Sequence, residues 1–131
     1  MMRALWVVAV SAALALPTAA AAQSITSQPV YRVKDEVAVK GRVTSVTTIP
    51  DWMGKDGVNI ALDSPDAALP HVDVATASFL KLLDFDIEVG DNLDLKGCWS
   101  ETPNGRVFLV HEMKSKRVML NVRDEKGAPL W

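Results

Sequence analysis

Cysteine is almost missing from this chain: Cys98 stands alone among 131 residues. A single thiol excludes an internal disulfide, a two-cysteine metal knuckle, an iron–sulfur site and a c-type haem attachment. Charge of one sign is also missing as a block. Lys and Arg number 14 against 16 Asp and Glu, for a formal net charge of −2. That balance argues against a phosphate-binding surface or a charged tail. Aromatics are few, and Tyr31, Trp52, Trp99 and Phe108 are scattered. A single-stranded nucleic-acid site needs a basic groove with stacking rings, so nucleic acid is not expected as a partner. Recognisable nucleophile–base pairs are absent too. Cys98 finds only His111 as a base, and a catalytic thiol needs both a base and an electropositive setting. The chain is therefore expected not to be an enzyme.

What is present begins with a leader. Met1–Ala22 carries Arg3, an apolar run Ala4–Leu16, Pro17 and then Ala20-Ala21-Ala22. Small residues thus occupy the −3 and −1 positions of a cut before Gln23, the three-part pattern of a secretory signal peptide. The run falls short of the roughly 20 residues that span a bilayer. No cysteine marks a lipoprotein cleavage site. The expectation is a protein of the periplasm or the exterior, cleaved after Ala22, with no transmembrane span after cleavage. Residues 23–36 are polar and aperiodic and read as a flexible lead-in. Residues 37–131 then form one domain.

Two-residue alternation dominates that domain. Val37–Val46 places Val37, Val39, Gly41 and Val43 on one face. Ile49–Gly57 is a loop by its Pro50, Gly54 and Asp56-Gly57, yet it carries Trp52 and Met53, large apolar residues that either fold back over the barrel or make a contact site. Val58–Asp63 and His71–Ala75 alternate again. Thr76–Leu83 changes period and predicts one short helix capped by Thr76 or Ser78, with Phe79, Leu80, Leu82 and Leu83 plugging a barrel end. Leu93–Lys96, entered at Gly90-Asp91 and left at Gly97, is the central strand. Asn104-Gly105 predicts a hairpin into Val107–Lys114. That strand is apolar on both faces, so it is covered twice or meets a partner. Val118–Val122 is a last strand, Asp124–Gly127 a turn, and Trp131 an aromatic expected to tuck onto the body. The fold class is all-β: a small barrel of five to six strands with one short helix before strand four.

This order resembles the oligonucleotide/oligosaccharide-binding (OB) barrel plan. Val37–Val46 is similar to a first OB strand and Val89–Gly97 to a fourth. Val72–Leu83, Gly90–Gly97 and the ending Val122-Arg123-Asp124-Glu125-Lys126-Gly127-Ala128-Pro129-Leu130-Trp131 together resemble an exported bacterial family related to the domain of the magnetosome proteins MamS and MamX. The resemblance implies a fold and a compartment. It brings no catalytic motif, and the Cys-x-x-Cys-His of magnetosome cytochrome modules is absent.

Two candidate sites follow. The contact reading places a partner, an envelope protein or a small ligand, on the Trp52–Met53 loop and on the second apolar face of Phe108 and Val110. It needs no cofactor. The alternative is copper: His111 and Met113, two apart on a strand, share a face by period, with Met119 close by. Imidazole and thioether ligands suit Cu(I). That set resembles periplasmic copper proteins of OB fold, although its spacing does not match theirs. By parity Cys98 shares the Asp94/Lys96 face and reads as a small packed thiol. Asp84, Asp86, Glu88, Asp91 and Asp94 read as turn and solvent-face residues. The expected function is a non-enzymatic binding module of the bacterial envelope.

Overall fold

A computed structural model describes residues 28–65, 68–116 and 118–131. The proposed leader and the start of the lead-in lie outside the described residues. Six strands and one short helix follow the predicted order: β1 (Val37–Pro50), β2 (Asp56–Asp63), β3 (Ala68–Thr76), α1 (Ala77–Leu82), β4 (Asn92–Thr102), β5 (Gly105–Ser115) and β6 (Val118–Asn121).

β1 serves two neighbours. Its first half pairs antiparallel with β4, from Val37↔Gly97 to Arg42↔Asn92. Its second half pairs with β2, from Arg42↔Asp63 to Pro50↔Asp56. A register shift between Val43 and Ser45 bends it at the changeover, as an inserted residue does. Gly41 sits at the same corner. A Cβ there would lie 2.9 Å from the carbonyl oxygen of Asp63, so a side chain is excluded where β1 crosses β2. β2 pairs with β3 and β4 with β5. A short parallel contact, Val72↔Phe108 and Asp73↔Leu109, joins β3 to β5 and closes the ring β1-β2-β3-β5-β4. β6 extends the sheet beside the lower half of β5. The protein is a small all-β barrel.

The inward positions of this ring make the core. Ile60, Leu62, Val72, Val74, Leu93, Leu95, Phe108, Val110 and Met113 are all at most 2% exposed. Each large apolar side chain so buried contributes about 1.5–3 kcal/mol. Thr76 caps α1 by accepting from Phe79 N–H at 3.3 Å. The helix buries less than its sequence suggested: Leu80 enters the core, whereas Leu82 is 82% exposed and Leu83 44%. Positions 80 and 82 lie about 200° apart on a helical wheel, so one short turn cannot bury both. The β4–β5 turn falls on Pro103-Asn104, one residue earlier than the Asn-Gly signal, and pairing resumes at Thr102↔Gly105.

Both faces of β5 are covered from within the chain. Phe108 and Val110 face the barrel core. Val107, Leu109 and Cys98 form a second cluster on the outside, sealed by Tyr31. The lead-in is therefore docked from Tyr31 onward, with a 3-10 turn at Val33–Asp35. The carboxyl end folds back as well: Arg123 bridges Pro129, and the Trp131 ring lies 6.3 Å from that of Phe79. Among the described residues, no helix is long and apolar enough to cross a membrane.

Candidate functional site

The β1–β2 connection is a built tip. Asp51 Oδ1 accepts from the backbone N–H of Met53 at 2.9 Å and of Lys55 at 2.8 Å. The Asp51 backbone N–H donates to Lys55 O at 2.7 Å, and Gly54 N–H donates to Asp51 O at 2.9 Å. An aspartate that satisfies its own turn holds the loop in one shape. On it Trp52 is 40% exposed and Met53 58%. Large apolar groups on a fixed loop present area without the entropy cost of ordering it on contact.

Beneath the tip lies a cleft lined by Asp51, Trp52, Asp73, Thr76, Arg123 and Trp131. Thr76 ends β3, Asp73 sits on it between the inward Val72 and Val74, and Arg123 and Trp131 come from the carboxyl end. Arg123 is buried. Its Nη1 donates to Gly127 O at 2.8 Å, and its guanidinium lies 4.9 Å from the Tyr31 ring centre and 5.2 Å from that of Trp131. Two such rings stabilise a cation through their faces. Among the described residues, three buried side-chain polar atoms find no hydrogen-bond partner: Asp51 Oδ2, Asn59 Nδ2 and Arg123 Nε. Asn59 pairs in register with Asp73. Burial pushes the Asp73 carboxyl up to about 6; Arg123 opposes that shift and Asp51 adds to it. Burial likewise lowers the Arg123 guanidinium, against the charge of Asp73. Unsatisfied buried groups next to a shifted carboxyl are a common mark of a binding site.

A second polar cluster fastens the lead-in. Glu36 Oε1 accepts from Tyr31 Oη at 2.9 Å and meets His111 Nδ1 at 2.7 Å. Its Oε2 lies 3.3 Å from Lys96 Nζ. Burial pushes the Glu36 carboxyl up, but the bonds from His111, Tyr31 and Lys96 outweigh it and hold the group below its ordinary range. Burial, reinforced by Glu36, drives the Tyr31 phenol far above its usual value, so it stays a donor.

The residues singled out from sequence fall in different places. Trp52 and Met53 are exposed on the tip. Phe108 and Val110 are 0% exposed and offer no contact surface. The outer apolar face of β5 belongs to Val107 and Leu109, and Tyr31 occupies it. The copper set does not assemble. Lys96 pairs with Glu112 and Gly97 with Val110, which leaves His111 as the extra residue of a bulge. That bulge reverses the alternation. Met113 turns into the core at 0% exposure, His111 turns out to Glu36, and Met119 stands on the outer surface at 64%. Cys98 keeps its outward parity but is 0% exposed, and burial raises its thiol.

Asp51, Asp73, Arg123 and Glu36 were missed as site residues. For Arg123 a signal existed, since it stands directly after the alternating Val118–Val122 and before the Asp124–Gly127 turn. Nothing local marks Glu36, whose partner His111 lies 75 residues away.

The model of the MamS/MamX magnetosome protein family matches residues 35–126. That span takes in the barrel, the tip, Asp73, Arg123 and the Glu36–His111 pair. No curated protein matches the chain.

Proposed function

Because this chain belongs to the MamS/MamX magnetosome protein family, we propose that it is an exported, non-enzymatic binding module of the bacterial envelope. Its contact face is the β1–β2 tip. The observation that carries this reading is Trp52 and Met53, exposed on a loop that Asp51 locks by two hydrogen bonds. A partly exposed indole on a fixed loop is a typical anchor of a contact surface. The ring order β1-β2-β3-β5-β4 supports an OB-like barrel, a plan whose first loop often meets ligands. The leader pattern of Met1–Ala22 supports export to the periplasm. A non-enzymatic role agrees with the setting of Cys98, the one thiol in the chain, which is fully buried and whose pKa burial raises.

A photoreactive residue at position 53 tests the reading in producing cells. Irradiation is expected to give a discrete adduct with an envelope component, and Trp52→Ala is expected to abolish it. The same residue at position 114, an exposed position near the end of β5, is the control. Adducts of equal yield from 53 and 114, or none from 53, would refute the tip as the contact face.

A further inference from the structure

The second half of β1 is an open sheet edge. On one side it pairs with β2. On the other, pairing with β4 ends at Arg42↔Asn92. The next backbone groups are spent on the loop before β4: Val43 N–H donates to Asp91 O, and Val43 O accepts from Gly90 N–H, both at 2.8 Å. Past that point no strand among the described residues lies alongside. Thr44, Ser45, Val46, Thr47 and Thr48 are all exposed, while Val58, Asn59 and Ile60 on the β2 side are buried.

The register shows which groups the edge offers. Val43 turns its N–H and C=O away from β2, so its pair with Leu62 is of the non-hydrogen-bonded kind. Val46 faces Ile60, two positions along β2 from Leu62, after one inserted residue in β1. It therefore stands in the same phase. The N–H and C=O of Val46, and of Thr48 two residues on, point outward from the sheet. The hydroxyls of Thr44 and Thr47 turn the other way, to Ala61 O at 3.3 Å and Asn59 O at 3.4 Å. Edges of this kind are ordinarily blunted by charge, proline or a bulge. Here the bulge lies at the base of the edge and Pro50 past its end, and the five residues between carry no charge.

The edge also complements itself. About Val46 it is symmetric in chemistry, with Ser45 and Thr47 on either side and Thr44 and Thr48 beyond them. An antiparallel copy would set Val46 against Val46, Ser45 against Thr47 and Thr44 against Thr48, and facing hydroxyl residues are favourable cross-strand pairs. The ends match in charge. Arg42 stands at one end, its Nη2 3.7 Å from where a Cβ of Gly90 would lie, and it makes no ion pair among the described residues. At the other end Pro50 pairs with the exposed Asp56. A two-fold axis at Val46 brings the Arg42 end of each copy to the Asp56 end of the other. Parallel pairing would oppose Arg42 to Arg42.

We infer that the occupant of this edge is a second copy of the chain: two molecules join β1 to β1, antiparallel about Val46, and continue one sheet across a two-fold axis. The inference does not depend on the tip as contact face, since Trp52 and Met53 lie past the paired residues. The edge alone is smaller than the roughly 1,200 Å² that stable complexes bury, so the association is weak and reversible.

Sedimentation equilibrium of the purified exported protein, carried to about 1 mM, where weak association is still populated, is expected to show a monomer–dimer equilibrium. Val46→Lys places two ammonium groups opposite each other, and Val46→Glu two carboxylates. Each should raise the dimer dissociation constant about tenfold or more, with the dispersion of the amide spectrum preserved. Because position 46 faces itself only in the antiparallel two-fold pair, an equimolar mixture of the two variants should regain the dimer. A parent that stays monomeric throughout overturns the inference and leaves the edge to the chain's own first residues or to another protein. A dimer that both variants retain, or a mixture that fails to recover it, overturns it as well, since the contact would then lie elsewhere. The position 53 adduct reports on the tip separately, so a wrong dimer and a wrong contact face are told apart.

Discussion

Glu36 and His111 meet at 2.7 Å across 75 residues of chain, and that contact fastens the amino-terminal segment over the outer face of β5. With Tyr31 and Lys96 it completes the set of donors around one carboxylate. The segment it holds in place seals Cys98, Val107 and Leu109 from water.

Acid should loosen this fastening. The folded Glu36 carboxyl titrates below its ordinary value of 4.5, so its contribution is present above that value and is lost as pH falls through the folded pKa. Glu36→Gln is expected to lower stability by about 1–3 kcal/mol at neutral pH and to flatten the acid limb of a melting-temperature profile. A variant that melts like the parent at pH 7 would show that the contact holds nothing.

Asp73 carries the opposite sign. Its carboxyl is raised from 3.8 to about 6, so the folded state binds the proton more tightly than the unfolded chain does. The stability this lends is full below 3.8 and disappears as pH rises through about 6. Asp73→Asn should remove that dependence and raise stability at pH 7 by about 1–3 kcal/mol, the shift being already net of the attraction to Arg123. Urea unfolding at pH 4, 5.5 and 7 measures the slope. A slope equal to the parent's would mean that Asp73 is not the group responsible.

Phe108→Ala and Trp52→Ala separate core from surface. Phe108 is 0% exposed, and truncating a buried phenylalanine costs about 3–5 kcal/mol. Trp52 is 40% exposed, and its truncation should cost less, about 1–2 kcal/mol. Equilibrium unfolding of the two variants gives the comparison. Similar losses in both would place Trp52 in the core and remove it as a contact residue.

Gly127→Ala tests the docking of the carboxyl end. Gly127 has φ +84°, and a Cβ there would run into the Tyr31 ring. The backbone penalty alone is about 1 kcal/mol, and displacing Tyr31 adds the loss of its contact with Arg123. The expected result is a drop in melting temperature with increased reactivity of Cys98 toward a thiol reagent. Unchanged Cys98 protection would mean that Tyr31 stays seated.

Local patterns carried most of the barrel. Alternation located the strands because the pleat points every second side chain inward, and Thr76 announced the helix because an unpaired N–H needs an oxygen there. The same alternation misassigned His111 and Met113. A single bulged residue reverses every face beyond it, and its position depends on how β4 and β5 register across the hairpin. Phe108 and Val110 were misplaced for a related reason: an apolar strand needs cover on both faces, but its sequence does not say whether this chain or another supplies it.

By itself the sequence determined the order of elements along the chain, the short helix and the β1–β2 loop with its Trp52 and Met53, because backbone periodicity, capping and turn chemistry act over a few residues. Only the tertiary structure decided that Glu36 closes on His111, that Tyr31 covers β5, and that Arg123 is buried between two rings beside Asp51 and Asp73. Those outcomes depend on ring closure, which brings together groups far apart in the chain and removes the water that would otherwise have satisfied them.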